Sequence, residues 1–127
     1  MKTRSSEHYD ISLLYVEDER VTREQISRIL QRIVTDLHVA ENGQQGLELY
    51  QEKRPDIILS DIMMPVMNGL EMIRRIRELD NDIPIIITTA YDDEAHACPL
   101  ANRVILKPIR FMDLVQAVEE CVATKEG

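Results

Sequence analysis

A chain of 127 residues with 44% hydrophobic residues can bury one core and is short for two ordinary domains. Its formal charge of −8 argues against nonspecific nucleic-acid binding, which relies on basic side chains to meet phosphates. No apolar run has the length of a membrane span and the first six residues lack the apolar segment of a secretory signal, so a globular chain in the cytoplasm, away from membranes, is the expectation.

In chain order, residues 1–9 read as a polar lead-in and 10–124 as the domain. ISLLYV (11–16) is a first strand and ends on the acid pair Glu17-Asp18. Ile26, Ile29, Leu30 and Ile33 then recur at the spacing of an amphipathic helix. A short strand is predicted near Leu37–Ala40, a turn at Asn42-Gly43, and a helix around Gly46–Lys53 that stops before Pro55. DIILS (56–60) is the third strand and runs into Asp61. Met72, Ile73, Ile76 and Leu79 mark a third helix, and IPIIIT (83–88) a strand that leads to Thr89-Ala90. RVIL (103–106) is the fifth strand and leads to Lys107-Pro108; Phe111, Leu114, Val115, Val118 and Val122 mark the last helix. Residues 125–127 read as a tail of the kind an expression vector adds, and the native polypeptide is free to continue beyond Gly127.

The strands are nearly continuous apolar runs and alternate with helical patterns. A parallel sheet covered by helices on both faces requires that pattern, so the predicted class is α/β, with five strands and about five helices. Ligands of such sheets bind at the carboxyl ends of the strands. Glu17, Asp18, Asp61, Thr89 and Lys107 all fall there.

Other candidates have simpler readings. Cys98 and Cys121 form no C-x-x-C pair and are expected as reduced thiols, Cys121 on an apolar stripe. His8, His38 and His96 adjoin no other metal-type ligand. Arg74, Arg75 and Arg77 form a basic cluster that a solvated helix face explains. Met64 and Met67 read as packing residues.

The strand-end residues carry chemistry together. Carboxylates gathered within about 4 Å repel by roughly 4 kcal/mol per pair at an effective dielectric near about 20. A divalent cation removes that repulsion, and carboxylate oxygens with waters and a phosphate oxygen suit magnesium. Asp61 opens D-I-M-M-P-V-M-N-G (61–69), and a carboxylate can act as a nucleophile that forms an aspartyl-phosphate. Lys107 supplies positive charge and Thr89 a hydroxyl donor for a transferring phosphoryl group. Pro65 and Gly69 turn the loop and open the next helix.

Glu17-Asp18, Asp61-x-x-x-Pro65-x-x-x-Gly69, Thr89-Ala90 and Lys107-Pro108 together resemble the receiver domain of two-component response regulators, over residues 10 to about 123. The resemblance implies a flavodoxin-like, doubly wound five-stranded parallel sheet of order 2-1-3-4-5. It implies Asp61 as phosphoacceptor, with Mg²⁺ (or Mn²⁺) held by Glu17, Asp18, Asp61 and the Met63 main-chain carbonyl. Thr89 and Lys107 would contact the phosphoryl oxygens, Ala90, Met63 and Tyr91 would flank them, and Lys107-Pro108 would be cis. The implied donor is a sensor histidine kinase or a phosphotransfer protein. The output would be an effector domain in cis or a downstream protein, and homodimerisation is open. The domain would catalyse only its own phosphorylation and dephosphorylation and would not contact nucleic acid itself.

Two positions depart from the pattern. Receivers commonly place an aromatic switch residue three before the lysine, coupled to the threonine; here Val104 stands there, with no ring to swing toward Thr89. The segment Asp92–Asn102 is about one helical turn short and contains Pro99, so the fourth helix is expected to be short, broken or replaced by loop. Bulky Met63 and Tyr91 predict slow self-dephosphorylation.

Two rivals remain at this level. A small Mg²⁺-dependent phosphohydrolase would want a second acid two residues after its nucleophile, where Met63 stands. A phosphate-independent interaction domain would use the fold only as a scaffold. Nucleotide binding is disfavoured because neither G-x-G-x-x-G nor a P-loop is present.

Overall fold

Each predicted strand is realised, and each is followed by a helix wherever the described chain allows. The computed structural model describes residues 8–90 and 100–126. Its elements are β1 (Tyr9–Val16), α1 (Arg20–Ile33), β2 (Val34–Ala40), α2 (Gly43–Lys53), β3 (Ile57–Asp61), α3 (Gly69–Leu79), β4 (Ile85–Thr89), β5 (Arg103–Leu106) and α4 (Phe111–Glu126). The strands form one parallel sheet in the order β2-β1-β3-β4-β5. That is the doubly wound, flavodoxin-like arrangement.

Period-two alternation sorts the strand side chains onto two cores. Leu13, Tyr15, Ile57, Leu59, Ile86 and Ile105 pack with Ile26 and Leu30 of α1 and with Leu114 and Val118 of α4. Leu14, Val16, Ile58, Ile85 and Ile87 pack on the other face with Leu47 and Tyr50 of α2 and Met72, Ile73 and Ile76 of α3. Burial on both faces is why the strands read as unbroken apolar runs. Glu17, Asp61 and Lys107 continue the odd-numbered positions of β1, β3 and β5, so the same alternation directs them toward the α1–α4 side.

Several boundaries differ from expectation. β2 begins at Val34, directly after α1, earlier than expected, since the adjacent exposed residues Thr35 and Asp36 leave no apolar run to announce it. β1 begins at Tyr9, within the stretch read as lead-in, where its ring is buried in the core. Asn42-Gly43 is a helix start: Asn42 is the N-cap of α2 and its side chain accepts from the Gln45 amide at 2.8 Å. Gly43 is demanded by packing, since a Cβ there would lie 2.2 Å from the Met67 carbonyl oxygen. Leu79 and Phe111 extend the helical stripes in sequence but are exposed, because each sits at a helix end beyond the reach of the sheet.

Arg74 and Arg75 are exposed as expected, and Arg75 pairs with Glu71 one turn away. Arg77 departs from the solvated-face reading. Its guanidinium donates to the carbonyls of Ile83 and Leu100 and to Asn102 Oδ1. Leu100–Asn102 are non-helical. The remainder of the expected short fourth helix, with Pro99, Cys98 and His96, lies outside the described residues. So the described chain contains four helices where about five were predicted.

Candidate functional site

The acid pair stands where sheet pairing runs out. Val16 is the last residue of β1 to pair with both neighbours, facing Ala40 and Ser60. Glu17 keeps one link, its amide donating to the Ala40 carbonyl at 3.1 Å, and is 1% exposed. Asp18 is exposed and lies just before α1, whose N-cap is Glu19.

Asp61 is the last residue of β3, opposite Thr88 of β4. Gly69 sits directly against it: a Cβ there would come within 2.1 Å of the Asp61 carbonyl oxygen, and the Gly69 amide donates to the Ile62 carbonyl at 2.7 Å. The loop from Asp61 to α3 can fold this tightly only with glycine at that position. Thr89 ends β4 and is buried, and the Lys107 amide donates to its carbonyl at 2.8 Å. The Lys107-Pro108 bond is cis.

These positions bring the side chains together. Lys107 Nζ donates to Asp61 Oδ2 at 3.0 Å and lies 3.6 Å from Glu17 Oε1, an ion pair too long for a hydrogen bond. Asp61 Oδ1 accepts from the Ile62 amide at 2.7 Å. Glu17 Oε2 accepts from the Glu19 amide at 3.2 Å, while Glu17 Oε1 is buried without a hydrogen-bond donor. Glu17, Asp18 and Asp61 each bring a carboxylate oxygen within 4.8 Å of the others.

Electrostatics follow from this crowding. Burial pushes the Glu17 carboxyl up to about 7; the Asp61 charge adds to the rise, and the Glu19 amide and Lys107 oppose it. Burial alone disfavours the Lys107 ammonium, but the hydrogen bond and charge of Asp61, with the charge of Glu17, outweigh it and raise the lysine above its ordinary value. The Tyr15 hydroxyl, buried beneath the acids, is pushed up by desolvation first and then by Glu17 and Asp61. One ammonium thus serves two of the three carboxylates, and a Glu17 oxygen is left without a hydrogen-bond donor. A divalent cation with oxygen ligands fits that donor set.

Of the remaining sequence candidates, Met63 and Ala90 are exposed beside the rim, Met63 at 61%. Val104 is partly buried against the α2–α3 core, while Met64 and Met67 are buried there. Tyr91 lies outside the described residues. Sequence reasoning missed Arg23, whose Nη1 donates to the carbonyls of Glu17 and Asp18. It lies five residues beyond the acid pair on a polar helix face, and no spacing rule marks it.

The fold and site together are those of a doubly wound parallel α/β domain with three acids and a lysine at its carboxyl rim, the end at which such sheets bind ligands. The sequence model of the response regulator receiver domain matches residues 13–119, and the chain belongs to that family. It is 39% identical over 126 residues to a sensory transduction protein, LytT, of Oceanobacillus iheyensis, covering 91% of this chain and 51% of that protein. It is 37% identical over 82 residues to the response regulator MprA of Mycolicibacterium vanbaalenii, covering 65% of this chain and 36% of that one. The chain therefore spans about half, or less, of the length of these curated relatives. Among solved structures it is similar to a response regulator, TrrA, of Thermotoga maritima in complex with Mg²⁺ and BeF, at 30% identity, a TM-score of 0.81 and coverage of 87% of this chain and 97% of that one. The N-terminal domain of a Wolinella succinogenes protein is similar at 29% identity and a TM-score of 0.83, with coverage of 91% and 96%. The chain is thus a receiver domain of the two-component response regulator class, and no helix among its described residues is long and apolar enough to cross a membrane.

Proposed function

We propose that Asp61 accepts a phosphoryl group from a histidine kinase or phosphotransfer protein, with Mg²⁺ bound at Glu17, Asp18, Asp61 and the Met63 carbonyl. The observation that carries this reading is the Asp61 carboxylate at the strand end, hydrogen-bonded to Lys107 and within a few ångströms of two further acids. An Asp61 oxygen attacks phosphorus, the O–P bond forms as the P–N bond of the donor breaks, and the donor imidazole leaves with the bonding pair. Lys107 meets the charge on the phosphoryl oxygens, and Thr89 donates its hydroxyl from the end of β4. The cation, when bound, neutralises charge on carboxylate and phosphoryl oxygens alike. Met63 and Ala90, exposed at the rim, flank the group and limit water access, so the adduct is slow to hydrolyse.

Val104 makes the readout differ from an aromatic swing. The state of Asp61 shifts a conformational equilibrium that controls an effector domain or a partner protein. The TrrA complex with Mg²⁺ and BeF supports the ligand chemistry by similarity.

Incubation with a small phosphodonor and Mg²⁺, followed by intact mass, tests the acceptor. One phosphoryl adduct is expected, absent in Asp61→Asn; an adduct that persists in that variant overturns the assignment. Amide exchange with and without a phosphoryl mimic tests the readout. Changes confined to a well-formed helix at 92–102 would contradict it.

A further inference from the structure

The acid-bearing turn is held by an arginine that the reactions above do not use. Sheet pairing on both sides ends at Val16, and α1 takes up the chain only at Glu19, whose carbonyl accepts from the Arg23 amide at 2.9 Å. The carbonyls of Glu17 and Asp18 fall between sheet and helix, where regular structure supplies no donor. Main-chain carbonyls in that position need a partner from elsewhere. Arg23, one turn into α1, provides it: Nη1 lies 3.0 Å from the Glu17 oxygen and 3.2 Å from the Asp18 oxygen. A single nitrogen with two hydrogens bridges successive carbonyls and sets the orientation of both peptide planes.

We infer that Arg23 is a positioning residue for the divalent-cation site, acting through the backbone of Glu17 and Asp18 without touching the ion. The inference rests on reading the three acids as that site. The side chains of Glu17 and Asp18 leave the chain on either side of the bridged peptide, so a rotation there re-aims both carboxylates. Glu19 strengthens the arrangement from the helix side, its carboxylate capping the Val21 and Thr22 amides at 3.2 and 2.8 Å.

Charge and position predict opposite signs. A guanidinium beside a cation site repels the ion, so on Coulomb grounds its removal tightens binding. If Arg23 positions the acids, its removal loosens binding, on the scale of the 10–100-fold typical when groups supporting metal ligands are lost. A role confined to anchoring α1 lowers the melting temperature and leaves Mg²⁺ affinity unmoved.

The test is a titration of the full chain with Mg²⁺ alone, followed by amide NMR shifts of residues 16–19 and 61–62. Wild type, Arg23→Ala, Arg23→Lys and Asp18→Asn are compared. Arg23→Ala is expected to weaken Mg²⁺ by about tenfold. Arg23→Lys, which keeps the charge but not the planar fork, should fall between it and wild type. Equal or tighter binding by Arg23→Ala overturns the inference. If that variant does not fold, Arg23→Lys decides: weakening of about threefold or more supports the role, and unchanged affinity overturns it. Wild-type binding that survives Asp18→Asn overturns the acid-site reading, and the inference with it.

Discussion

Val66 occupies the left-handed region at φ 69° while 83% of it is exposed, in the loop that leads from Asp61 to α3. A β-branched side chain is strongly disfavoured there, at a cost of about 1–2 kcal/mol, and it gains little burial in return. Val66→Gly should therefore stabilise the fold by about 1 kcal/mol, read as a raised urea midpoint with an unchanged slope. Glu17 works in the opposite sense. Its folded carboxyl titrates near 7 against an ordinary value of 4.5, so the folded chain holds that proton more tightly than the unfolded chain. The resulting stabilisation is complete below the unfolded value and is lost as pH rises through the folded one. Metal-free protein should lose stability between roughly pH 5 and 7.5, by an amount on the order of a few kcal/mol at most. Glu17→Gln should flatten that part of the profile in urea melts at fixed pH.

At the scale of elements, Arg77 and Asn102 join the end of α3 to the chain that leads into β5. Asn102 Oδ1 accepts from both the Ile85 amide and the Arg77 guanidinium, at 2.8 and 2.9 Å, and the Asn102 amide donates to the Ile85 carbonyl at 2.7 Å. β5 has only four residues, so this clamp is a large share of what seats it. Arg77→Ala should cost about 1–3 kcal/mol and speed amide exchange in β5 more than in β1. Combining it with Asn102→Ala should cost less than the sum of the two, because they share one network. Gly69 belongs to this scale as well. Gly69→Ala forces α3 away from the Asp61 carbonyl, so it should lower both stability and phosphoryl adduct yield, measured by melting and by intact mass.

Across the whole molecule, two cores on opposite faces of one sheet leave the carboxyl rim as the place where strand ends meet no further packing. The acids there repel one another in the folded chain and separate in the unfolded one. Mg²⁺ that binds only the folded state should raise stability by about 2.7 kcal/mol at a hundredfold excess over its Kd. It should also remove most of the pH dependence described for Glu17. Thermal melts with and without Mg²⁺, at about pH 5 and about pH 8, check both points; a melting temperature unmoved by Mg²⁺ at the higher pH, or a pH dependence unchanged by it, would contradict them.

The sequence by itself determined the α/β class, the five strands and the five reactive residues at the ends of four of them. Unbroken apolar runs arise only where both faces of a strand are covered, and strand ends in such sheets are where ligands meet side chains. The motif spacing also determined the family. Tertiary structure alone decided which rim side chains touch, because registers such as Asp61 opposite Thr88 come from pairing between strands distant in sequence. It alone showed Gly43 and Gly69 as packing necessities, since the carbonyls they accommodate belong to residues elsewhere in the chain. The polar supports Arg23 and Arg77 emerged only there too. Their partners are backbone carbonyls, which every residue carries and no sequence pattern can mark.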